Sequence, residues 1–129
     1  EGISVNELHS EKFECLLPQP EVCPKPCTCK IRPADSAFRI NCSEKQLTEV
    51  PQLPELNELD QLAKKWFHLT LNHTELLLTK NKIRELPTYR NPGYSQVTKL
   101  YVSYNNISAL STENLPPVIK VIFFIVNFY

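Results

Sequence analysis

Apolar residues in the second half of the chain follow a recurring frame. Aligned over 73–83 (HTELLLTKNKI), 97–107 (VTKLYVSYNNI) and 119–129 (IKVIFFIVNFY), three stretches carry apolar residues at the fourth and sixth places, asparagine at the ninth, and an apolar or aromatic residue at the eleventh. The alternating pairs Leu76 and Leu78, Leu100 and Val102, and Ile122 and Phe124 predict short strands with one inward face. Between the first cysteine-rich third and these strands, Leu59, Leu62, Ala63 and Trp66 fall near helical spacing within residues 57–70, which predicts a short amphipathic helix on the opposite side. The distance from the cysteine-rich segment to the first strand reads as too long for a single turn.

The frame L-x-x-L-x-L-x-x-N-x-L, with Asn81, Asn105 and Asn127 spaced 24 and 22 residues apart, is that of leucine-rich repeats. It predicts a solenoid with short parallel strands on the concave face and an irregular or helical convex side, whose stacked turns bury one continuous core. The three asparagines sit where each strand ends, and their amides are expected to satisfy backbone groups of their own and adjacent turns as a ladder. Outward positions Leu77, Thr79 and Lys80, then Lys99, Tyr101, Ser103 and Tyr104, form a candidate protein-binding surface. Tyrosine buries much area there at low entropic cost. The outward places Phe123 and Ile125 are apolar where polar residues are normal.

Composition narrows the function. Lysine plus arginine balance aspartate plus glutamate at 14 each, so no global field draws the chain to nucleic acid. The chain lacks methionine and begins at Glu1, so a leader or a larger part is expected ahead of it. The final apolar run from Val118 spans twelve residues and includes Lys120, too short to cross a bilayer. His9, His68 and His73 are scattered and share no nucleophile motif with a serine or cysteine. Gly2 and Gly93 are the sole glycines, so no phosphate-binding loop can be built. The expectation is a non-enzymatic protein without a cofactor. Five cysteines admit either disulfides or a metal. The sequons at Asn41, Asn72 and Asn106 tip the balance towards a secreted or extracellular chain, with Asn72 and Asn106 the better acceptors because Cys42 adjoins Asn41.

The exposed ends of a solenoid need lids. In the segment 38–51 (FRINCSEKQLTEVP), Leu47, Val50 and Pro51 match Ile83, Leu86 and Pro87, which puts Cys42 at the inward place held by Leu78. Cys23, Cys27, Cys29 and Cys42 therefore belong to a cap whose last strand is already repeat-like. Four cysteines allow three pairings, and four thiolates could bind zinc; the single residue between Cys27 and Cys29 departs from the usual two-residue zinc knuckle. The order C-x3-C-x-C, then twelve residues, then C resembles the N-terminal cysteine cap of extracellular leucine-rich repeat proteins. That resemblance implies Cys23 paired with Cys29 and Cys27 with Cys42.

The stretch 13–27 (FECLLPQPEVCPKPC) resembles the join between a C-terminal cap and the N-terminal cap of a following block. Residues 1–22 then read as the remnant of an upstream cap and a linker, 23–51 as the N-terminal cap, and 52–129 as repeats truncated without a C-terminal cap. Cys15 has no partner on this reading. The module order, CPKPCTC, NPGYSQVTKL and ENLPP are similar to the membrane-proximal ectodomain of insect Toll receptors. The resemblance implies a single-pass receptor for a Spätzle-like cystine-knot cytokine, pairing as a homodimer and signalling through an intracellular domain. It also implies that this block positions the receptor chains, while the principal cytokine contacts lie elsewhere and the membrane is reached only through a segment missing here. The alternative is a secreted or matrix adhesion protein built from the same cap and repeats.

Overall fold

A computed structural model describes residues 15–16, 23–68 and 70–123. Its strands are β1 (Cys15–Leu16), β2 (Thr28–Arg32), β3 (Ala37–Asn41), β4 (His73–Leu77), β5 (Lys99–Tyr101) and β6 (Val121–Phe123), with one helix, α1 (Leu56–Phe67), between β3 and β4. They form one sheet in chain order. The first two pairings are antiparallel and the rest parallel, so the cap begins as a hairpin and continues as a solenoid.

The register follows the frame. Ile40, Leu76, Leu100 and Ile122 lie side by side across four strands. Phe38, Ile40, Leu76, Leu78, Leu100 and Val102 are all buried, and Leu47 and Val50 pack against that core from the cap. Cys42 continues the row beside Leu78: its N–H donates to the Leu77 carbonyl at 2.8 Å, and it is fully buried. No single turn could enclose these side chains, and stacking supplies the missing wall.

The long connection between cap and first repeat turns out to be one turn. Ala37 pairs directly with His73 in parallel, and α1 takes up the extra length between them. Glu58 accepts the Glu55 N–H at 3.3 Å and lies in the first turn, while Lys64 and Lys65 lie in the last, matching the helix dipole at both ends. Asp60 accepts the Leu71 N–H at 3.3 Å, fastening the helix to the chain entering β4, and Ala63 is buried. The side chains of Leu59, Leu62 and Trp66 lie outside those described. Cys15 and Leu16, within the segment read as remnant and linker, pair with Ile31 and Lys30 along the outer edge of β2.

Candidate protein-binding surface

The cap is closed by covalent bonds. Cys23 and Cys29 are joined with Cα atoms 5.6 Å apart, and Cys27 and Cys42 with Cα atoms 4.5 Å apart. All four are buried, and in these bonds none is left as a thiolate for zinc. Among the described residues, no cluster of three or more histidine, cysteine or acidic side chains could hold a metal ion.

Two of the three asparagines form a ladder. Asn81 donates to the carbonyls of Cys42 and Leu78 at 2.9 Å each, and its oxygen accepts from Lys45 and Leu47 N–H at 3.0 Å. Asn105 repeats the arrangement one turn on, donating to Leu78 and Val102 and accepting from Ile83. Asn127 lies outside the described residues.

The concave face carries two distinct rows. One runs Lys30, Arg39, Glu75, Lys99, Val121 across five strands. Glu75 is only 1% exposed, yet it is clasped: Arg39 donates to it at 3.1 Å, Lys99 lies 3.8 Å away, and Arg32 reaches it from the end of β2. A buried carboxylate requires such partners. Arg32 also grips Asp35 with two bonds of 2.9 Å, which holds the Asp35 carboxyl below its ordinary range and the guanidinium above its own. Beside this row runs Thr28, Asn41, Leu77, Tyr101, Phe123. The rings of Tyr101 and Phe123 stack with centroids 4.5 Å apart and planes 12° from parallel, so the unexpected apolar residue at 123 has an aromatic neighbour on the same face. Phe123 stays 43% exposed.

The convex loop NPGYSQ is anchored in the interior. Asn91 accepts the Tyr94 N–H at 3.3 Å, and the buried Tyr94 hydroxyl donates to the Asn114 carbonyl of the next turn. Burial raises the Tyr94 hydroxyl well above the usual phenol range.

Comparison with known proteins fits this geometry. Residues 22–54 match the leucine rich repeat N-terminal domain. Over 121 residues, 90% of the chain, the sequence is 34% identical to protein toll of Drosophila melanogaster. The chain spans about a tenth of the length of that relative. Two solved structures of the Toll–Spätzle complex, a molecular hub in Drosophila development and innate immunity, superpose with TM-scores of 0.75 and 0.73, the second in its glycosylated form. Each is 32% identical, with 93% of this chain and 14% of the other covered. The chain is a capped leucine-rich repeat segment similar to this stretch of Toll.

In this Toll-like segment the expected surface residues do not all lie alike. Leu77, Thr79, Lys99 and Tyr101 are half-buried on the concave face. Lys80 and Tyr104 are exposed, but they lie past the strands at the turn, each with a positive φ near 60°. Ser103 is less accessible than expected: it is only 7% exposed, and its carbonyl accepts the Lys80 N–H of the preceding turn at 3.0 Å. Sequence reasoning missed Glu75 and its clasp. The alternation that turns Leu76 inward already turned Glu75 outward beside Lys99, and this was the available signal. His68 is exposed at the helix end and His73 is half-buried with Nδ1 unbonded; His9 lies outside the described residues. Asn41, Asn72 and Asn106 are all exposed. Among the described residues, no helix is long and apolar enough to cross a membrane.

Proposed function

We propose that the chain forms part of the extracellular portion of a single-pass Toll-type receptor for a Spätzle-like cytokine, acting in innate immune or developmental signalling. This block acts by binding and performs no catalysis: it positions receptor chains and contributes contact between two of them. Most cytokine contact, and membrane anchorage, fall to parts outside this chain. One observation carries the reading: the match to Toll runs through cap and repeats together over 90% of the chain, whereas a cap alone would fit an adhesion protein equally well. The two disulfides suit an oxidising exterior. The stacked Tyr101 and Phe123, with exposed Tyr104, supply the aromatic surface typical of protein contacts.

The test exchanges the matching stretch of Drosophila Toll for this chain and measures Spätzle affinity, receptor pairing by resonance energy transfer, and reporter output. The exchanged receptor is expected to bind and pair as Toll does. Replacing Tyr101→Ser together with Tyr104→Ser is expected to lower pairing several-fold with Spätzle affinity unchanged. Pairing indifferent to both tyrosines would reduce the block to a spacer, and binding without any pairing would favour the adhesion alternative.

A further inference from the structure

Asn41 heads the one sequon of the three with a cysteine at its middle place. It is the last residue of β3 and exposed, while its neighbours Ile40 and Cys42 are fully buried. Its side-chain oxygen accepts the Ser43 N–H at 3.1 Å, drawing the acceptor amide and the hydroxyl residue of Asn41-Cys42-Ser43 into one local turn. Asn41 also borders an open hollow of about 280 Å³ lined by Thr28, Lys30, Arg39 and itself. A hydroxyl, an ammonium and a guanidinium there present donors suited to sugar hydroxyls and an acetamido carbonyl.

The same geometry bars reaction after folding. The Cys42 N–H is bonded to the Leu77 carbonyl, and its sulfur is bonded to Cys27, so the tripeptide is pinned on both sides and cannot be drawn into a transferase. We infer that Asn41 carries an N-linked glycan added before the Cys27–Cys42 disulfide closes, with its first sugar seated in the hollow beside Thr28. In the transfer, Asn41 Nδ2 forms a bond to the anomeric carbon of a lipid-pyrophosphate-linked oligosaccharide. The carbon–oxygen bond to pyrophosphate breaks, the lipid pyrophosphate leaves, and the amide gives up one proton. In the competing step, Cys27 and Cys42 give two protons and two electrons to a protein disulfide oxidant of the secretory compartment. Asn72 and Asn106 have no cysteine in their sequons and escape this race. On the receptor reading above, on which this consequence rests, sugar covers the cap side of the concave face and leaves protein contact to Tyr101, Tyr104 and Phe123.

The experiment secretes the full chain from eukaryotic cells and maps glycopeptides and disulfides together. It compares the wild type with a Cys27→Ser, Cys42→Ser double variant that keeps an N-x-S sequon at Asn41. Expected is partial occupancy of Asn41 on the peptide linked to Cys27, rising several-fold in the variant, with Asn72 and Asn106 unchanged. A bare Asn41 in wild type beside a filled Asn72 or Asn106 overturns the site. Equal Asn41 occupancy in both proteins overturns the order of events. Neither result depends on receptor pairing, so failure here and failure of the receptor reading are separable.

Discussion

Asn81 uses its whole carboxamide on backbone that cannot otherwise be satisfied: two carbonyls of two successive turns on one side, two N–H groups of the cap on the other. The side chain is 7% exposed, so water is a poor substitute. An unsatisfied buried polar group costs about 1–3 kcal/mol, and partial rehydration of the pair nearest the surface offsets some of the four losses. Asn81→Ala is therefore expected to lower the unfolding free energy by about 2–4 kcal/mol in denaturant titration, since two or more groups lose their partner at once. A loss below about 0.5 kcal/mol would mean that the ladder is decorative and that stacking alone holds the turns. Glu75 poses the opposite problem at the same scale. Its charge is tolerated in the interior only because Arg32, Arg39 and Lys99 arrive from three strands, so its role belongs to the register of the sheet as much as to its own chemistry.

Between elements, the loop before β5 packs closely against the chain leaving the cap. A Cβ placed on Gly93 would lie 2.5 Å from the Leu53 carbonyl oxygen and 2.8 Å from its Cβ. Gly93 has φ of −69°, which any residue adopts, so the backbone itself does not require glycine. Alanine would gain about 0.4–1 kcal/mol from a stiffer unfolded chain, but overpacking against backbone costs about 1–3 kcal/mol, and the second effect wins. Gly93→Ala is expected to lower the melting temperature; a rise would show that the two loops separate without penalty. The same scale explains what was legible beforehand. Repeats, ladder and inward Cys42 could be read because each depends on a local period that the core enforces on every turn. The Glu75 clasp could not be completed, because Arg32 meets it only through the lateral register of β2, β3 and β4, and residues 57–70 ahead of β4 depart from the repeat frame. The low exposure of Ser103 was hidden for a related reason: alternation predicts faces along a strand, not accessibility beyond it, and β5 ends at Tyr101. The pairing of Cys15 and Leu16 with β2 involves only two residues and has no pattern to betray it.

Across the whole molecule, cap and repeats share one sheet and one core, so their stability is coupled through nearest neighbours. The two disulfides load that coupling unequally. Cys23–Cys29 closes a separation of 6 residues within the cap, whereas Cys27–Cys42 closes 15 and ends on the residue that continues β3 beside Leu78. Chain entropy assigns about 2 kcal/mol to the shorter loop and about 3 kcal/mol to the longer. Location adds to the difference: freeing Cys42 loosens the strand that covers Leu76 and Leu78, while freeing Cys23 leaves β3 in register. The Cys27→Ser, Cys42→Ser pair is therefore expected to cost more stability than Cys23→Ser with Cys29→Ser, and to lower hydrogen-exchange protection at the Leu78 and Val102 amides in β-side turns beyond the cap. The Leu78 N–H bonds to the Tyr101 carbonyl and that of Val102 to Phe123, so these amides report on the second and third turns. Protection lost only within residues 23–42 would mean that the repeats hold themselves together and that the cap is an appendage rather than the first turn of the solenoid.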